Sequence, residues 1–182
     1  MLIVPGLGGS GPAHWQTRWE ALYPRHARLV QRDWDHPERG DWLAALGAAL
    51  EAAHEPVALV AHSLGCALVA HAASRPYAKS IAAALLVAPA DVDSPAHTPP
   101  ETRSFAPMPT QPLPFPATVV ASEDDPYVTL ARARAFAAAW GAGFVAAGRR
   151  GHLNADSGLG DWPDGRRLFE ALLVRVPSLG PR

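Results

Sequence analysis

The 182-residue chain has one cysteine, one lysine and no apolar run long enough to span a membrane. Each scarcity closes off a class of protein. The lone Cys66 excludes an internal disulfide and any four-cysteine zinc site, and reads as a small core group. Lys79 is the only lysine, the formal net charge is −1 and the arginines are scattered. No nucleic-acid surface and no polybasic membrane anchor is expected from such a pattern. The longest apolar run, Ile81 to Ala90, falls well short of the roughly 20 residues a membrane helix needs. The first residues, Met1-Leu2-Ile3-Val4-Pro5, lack the basic start of a signal peptide. The histidines share no metal-ligand spacing, so neither metal nor cofactor is expected. These exclusions leave a cytoplasmic protein, read as a single domain over residues 1–182 and large enough to bury a core.

What the chain does contain is an alternation of short apolar runs and helical stretches. Runs at Leu2-Ile3-Val4, Arg28 to Gln31, Val57 to Ala61, Ile81 to Val87, Ala117 to Ala121 and Phe144 to Ala147 read as six strands. Between them the periodicity predicts helices over His14 to Leu22, Asp41 to Ala53, Cys66 to Ala73, Tyr127 to Trp140 and Pro163 to Val174. Asp41 can cap the second of these and Pro163 suits a first helical turn. Residues 91–116 differ in kind, because eight prolines there disfavour helix and central strand. This stretch is expected to wander over the strand ends, as a minimal lid or as a plain surface loop. Residues 177–182 are expected to fray. Strands alternating with helices predict an α/β fold, with a mostly parallel sheet covered on both faces. Ligands in such folds bind where the strands end.

The residues at those ends carry the chemistry. Pro56 to Ala73 reads as a buried strand, a tight turn with Ser63, and a helix of small residues. A serine there matches a nucleophile elbow, usually written G-x-S-x-G, with Ala61 in place of the first glycine and Gly65 as the second. The backbone N–H of Leu64 would stand free at the helix start, where an oxyanion can be held. A serine hydroxyl needs a base, and the base an orienting acid. His152 follows the sixth strand. The acid comes from Glu123-Asp124-Asp125 after the fifth, with Asp125 preferred because Pro126 fixes its turn, and Asp124 the alternative. Ser63, Asp125 and His152 are separated by 62 and 27 residues, in the chain order of α/β-hydrolases. After the first strand, Gly6-Leu7-Gly8-Gly9-Ser10-Gly11 fits two uses. The N–H of Leu7, or of Gly8, would complete an oxyanion hole. Alternatively the loop matches the G-x-G-x-x-G dinucleotide fingerprint, with Asp33 as the ribose acid, although the helix starts too late for its N-terminus to meet a pyrophosphate. Trp15 and Trp34, with the proline-rich stretch, are candidates to line an apolar pocket, while Trp15 and Trp19 read first as core. His62 is expected to pack or hydrogen-bond beneath the turn, and His71 to be a scaffold residue.

Leu7-Gly8-Gly9-Ser10, His14-Trp15, Asp33-Trp34, Ala61-His62-Ser63-Leu64-Gly65, Asp125-Pro126 and Gly151-His152-Leu153-Asn154, in this order, resemble the small serine hydrolases related to retinoblastoma-binding protein 9, in their bacterial branch. The similarity spans nearly the whole chain. It implies a compact α/β-hydrolase fold without a large cap domain, with Ser63 as nucleophile, Asp125 as acid and His152 as base. The chain departs from many α/β-hydrolases in having Pro5-Gly6 where they have His-Gly. The expected function is hydrolysis of a small carboxylic ester or related acyl compound. The competing expectation is a partner-binding protein on the same fold.

Overall fold

A computed structural model describes residues 1–176; the expected frayed tail, 177–182, lies outside the described residues. Extended runs this short cannot satisfy their own backbone groups, and here they do so by pairing side by side. The strands are β1 (Leu2–Val4), β2 (Ala27–Arg28), β3 (Val57–His62), β4 (Ile81–Val87), β5 (Ala117–Ala121) and β6 (Gly143–Ala146). All pair in parallel, in the order β2-β1-β3-β4-β5-β6. The helices are α1 (Trp15–Leu22), α2 (Arg39–Glu51), α3 (Leu64–Ala72), α4 (Leu130–Trp140) and α5 (Pro163–Leu173).

Because side chains alternate across a strand, the central strands feed two cores. Leu59, Ala61, Ala84 and Leu86 face a cluster with Trp42, Leu46, Leu68, Phe136 and Trp140 from α2, α3 and α4. Val60, Ala83, Leu85 and Val87 face Trp15, Trp19, Phe169 and Leu172 from α1 and α5. Helices thus cover both faces of the sheet, as expected. Among the described residues no helix is long and apolar enough to cross a membrane.

Several boundaries differ from expectation for local reasons. β2 is only two residues long, because past Leu29 the chain turns outward and Val30 is 71% exposed. α1 starts at Trp15, with the His14 side chain as its cap: Nδ1 accepts from the Gln16 N–H. α2 begins at Arg39, which puts Asp41 inside the first turn. α4 waits for Thr129, whose hydroxyl oxygen accepts from the Arg132 N–H. α3 begins one residue after Ser63, so the turn is tighter than expected. The proline-rich stretch holds one short 3-10 turn, Pro100–Phe105.

The chain leaves β1 for β2 on one side and returns to β3 on the other. β1 and β3 therefore flank the point where the strand order reverses, the position at which open α/β sheets hold ligands.

Candidate active site

At that reversal the loop after β1 meets the turn after β3. Ser63 has φ 55 and ψ −121, a left-handed backbone that only a tightly determined environment keeps for a non-glycine residue. The turn is held from both sides: the Ser63 N–H donates to the Val87 carbonyl, and the Ser63 carbonyl accepts from the Cys66 N–H. Ser63 stands at the N-cap of α3, yet its side chain makes no capping hydrogen bond. Two glycines make the crossing possible. A Cβ on Gly65 would lie 2.4 Å from the Val4 carbonyl oxygen, and one on Gly6 would lie 2.9 Å from the Ser63 Cβ. Ala61 points into the α2–α4 core, where a methyl group fits.

Asp125 and Asp124 separate cleanly. Asp125 lies in the turn after β5, and both its carboxylate oxygens sit 2.9 Å from the His152 Nδ1. One of them also accepts from the Tyr127 N–H, which fixes the carboxylate plane. Asp124 instead accepts from the Ser122 hydroxyl and from the Gly151 N–H. Those bonds hold its carboxyl below the usual range and tie the β5 turn to the loop after β6. With Nδ1–H given to Asp125, the His152 ring keeps Nε2 as its free nitrogen. Among the described residues the ring bonds only Asp125. The Tyr127 ring lies over His152 with centroids 4.4 Å apart.

Ser63 and His152 line one cavity of about 270 Å³, bounded also by Leu7, His14, Leu64 and Tyr127. Thr98, Pro99 and Thr102 from the proline-rich stretch form another wall. That wall is braced: Arg103 donates to the Val92 carbonyl and to Thr98, and Arg132 pairs with Asp91 and Asp93. Trp15 and Trp34 do not line the cavity. Trp15 is buried in the α1–α5 core, and Trp34 packs beneath Gly9.

The first loop commits its donors unequally. Gly8 N–H bonds the Trp34 carbonyl and Gly9 N–H bonds the Gly6 carbonyl. Leu7 opens this short turn, where a first residue has no partner within the turn for its N–H. Helix α1 opens at Trp15, well past the glycines, and the Asp33 carboxylate accepts from the Asp35 and His36 N–H groups on the surface.

Three residues of the cavity, His14, Thr98 and Thr102, are not singled out by the sequence for this site, whereas His62 is expected beneath the turn. His14 is buried against the cavity, with burial first and nearby His152 and Arg28 next lowering its pKa to about 4. His62 is likewise held neutral, by burial above all. Thr98 and Thr102 enter only because the excursion folds back. His71 bonds the Phe105 carbonyl and Cys66 is buried, with its thiol pushed up by burial.

A family model described as serine hydrolase matches residues 1–171. No curated protein matches the chain. Among solved structures, a YdeN-like hydrolase from Pectobacterium atrosepticum is 33% identical, covering 97% of this chain and 92% of its own, with a TM-score of 0.85. The ydeN gene product of B. subtilis is 20% identical over 94% and 96%, with a TM-score of 0.74. Est1E from Butyrivibrio proteoclasticus, with ferulic acid bound, is 15% identical over 94% and 85%, with a TM-score of 0.66. The sheet order and the layers are those of the α/β-hydrolase fold, without a large cap domain among the described residues.

Proposed function

The chain belongs to the serine hydrolase family, and on that premise we propose that it acts as one domain cleaving a small, uncharged carboxylic ester, with Ser63 as nucleophile, His152 as base and Asp125 as acid. The observation that carries the proposal is His152, held by two carboxylate oxygens of buried Asp125 on one ring nitrogen, lining the same cavity as a serine in a strained turn.

A hydroxyl attacks a carbonyl only as its proton leaves. His152 Nε2 takes that proton, and Asp125 holds the ring in the required tautomer and stabilises the imidazolium that forms. The carbonyl oxygen, now an anion, takes hydrogen bonds from the backbone N–H groups of Leu64 and Leu7. Leu64 opens α3, so the helix dipole adds to its donor. The imidazolium then protonates the departing alcohol. Water, activated by the same histidine, hydrolyses the acyl-enzyme and restores Ser63. The cavity supports a small, neutral acyl group: its volume is about 270 Å³, and its lining residues include no aspartate, glutamate, lysine or arginine.

Labelling with a fluorophosphonate probe, beside Ser63→Ala and His152→Ala, tests the proposal. The wild type is expected to label and to hydrolyse p-nitrophenyl acetate, and neither variant should. An unlabelled wild type would sink the hydrolytic mechanism, and labelling that survives Ser63→Ala would move the nucleophile elsewhere.

A further inference from the structure

The loop carrying His152 has an uncomfortable backbone. Leu153, a bulky residue with no side-chain access to solvent, has φ 49. Such a conformation persists only where its surroundings over-determine it. Two buried ring N–H groups do so here, on consecutive carbonyls. The His62 Nε2–H donates to the His152 carbonyl at 2.9 Å, and the Trp15 Nε1–H donates to the Leu153 carbonyl at 2.8 Å.

Neither donor belongs to the loop or to its neighbours in sequence. His62 is the last residue of β3 and is bonded covalently to Ser63. Trp15 is the first residue of α1, wedged between Trp19 and Trp162 at 4.9 and 4.8 Å. The His62 ring also lies 4.8 Å from the His152 ring and 4.6 Å from that of His14. Its tautomer follows from the carbonyl it serves: Nε2 must carry the hydrogen. Burial favours the neutral form of the ring, so the bond is made without placing a second charge beside His152.

We infer that His62 and Trp15 are positioning residues, which clamp the backbone of the base loop and set the distance between His152 and Ser63. The inference rests on the proposed roles of those two residues. Because His62 adjoins Ser63, the elbow and the base loop are referenced to one another through a single peptide unit and one hydrogen bond. A displacement of the base by a fraction of an ångström acts on proton transfer in the transition state, and leaves the Leu7 and Thr98–Thr102 walls of the cavity where they are.

The test compares His62→Phe, which keeps a ring and loses the donor, with His62→Gln, whose side-chain amide can reach the same carbonyl. Steady-state hydrolysis of p-nitrophenyl acetate and thermal melting are measured on both. His62→Phe is expected to lower kcat about ten- to a hundred-fold with KM little changed. His62→Gln should recover most of the rate. Trp15→Phe, an independent loss of donor, should reduce kcat in the same way. Equal kcat for the Phe and Gln variants, or a loss confined to KM, would overturn the inference. Failure of the proposed mechanism itself would show separately, as labelling that survives Ser63→Ala.

Discussion

Adding one methyl group at Gly65 tests how tightly the elbow is built. A Cβ at this position would sit 2.4 Å from the Val4 carbonyl oxygen and 2.8 Å from that of Pro5, where ordinary contact begins at 3.4 Å. Both obstacles are main chain, and about 1 Å must be found. β1 cannot supply it, because it is hydrogen-bonded to β2 on one edge and β3 on the other and its residues are buried. The start of α3 must therefore withdraw from the sheet, taking the Leu64 N–H with it. Overpacking of this kind costs about 1–3 kcal/mol, which lowers the melting temperature of a chain this size by roughly 2–12 °C. Displacing one oxyanion donor costs on the order of 10²- to 10³-fold in kcat. Gly65→Ala is therefore expected to fold, to melt earlier and to lose most of its hydrolysis of p-nitrophenyl acetate. Ala61→Gly, which restores the usual first glycine, removes a fully buried methyl from a strand interior and should cost about 1–2 kcal/mol. Differential scanning fluorimetry and steady-state kinetics on both variants decide the matter. A Gly65→Ala protein that melts with the wild type and keeps its rate would refute the reasoning.

Further predictions follow from the site and its supports. Asp125→Asn should reduce kcat by about 10³- to 10⁴-fold, since an amide no longer selects the right imidazole tautomer. Asp124→Asn should leave kcat within about ten-fold but lower the melting temperature, because it weakens the Ser122 and Gly151 bonds; equal kinetic losses would reverse the assignment. His14 has a folded pKa of about 4 against 6.5 for a free side chain. On acidification the unfolded chain takes up the proton first, so this contribution is complete above about pH 6.5 and lost as pH falls toward 4, about 2 kcal/mol of it by pH 5. His62 acts in the same direction. Melting temperature should therefore drop between neutral pH and about pH 5, and His14→Asn should flatten the slope; an identical slope would exclude His14 as a source. Arg103→Ala removes the brace behind Thr98, so KM should rise several-fold and hydrogen exchange should speed up across residues 98–105.

The strand–turn–helix around Ser63 was legible because a run buried on both faces, a tight turn and a helix of small residues each leave local marks. So did β4, fully apolar over its whole length. Expectation failed where a boundary is set by something remote or merely single. β2 is cut short by the outward turn at Val30, and α4 starts late because one hydroxyl at Thr129 caps it. Within the site, the chain order Ser63, Asp125, His152 could be read, and Pro126 pointed to Asp125 as the carboxylate that contacts His152. That the Gly8 N–H is already engaged could not be read. It turns on the Trp34 carbonyl, which takes the Gly8 N–H across a loop. The His62–His152 bond spans 90 residues of chain and the Trp15–Leu153 bond spans 138, so no local pattern announces either.

Ser63 sits where a serine would ordinarily cap α3, in a backbone conformation that serines avoid, and its side chain makes no capping bond. The fold thus forgoes a cap and carries strain at Ser63, which leaves its hydroxyl free of any cap bond. Glycine at this position would relieve the strain and end the proposed chemistry, while the two cores and the braced cavity wall stayed in place. A catalyst and an inert scaffold with an intact, sheltered cavity then lie one substitution apart, and stability alone favours the scaffold. Under the proposed mechanism, selection for turnover is what holds the chain on the catalytic side.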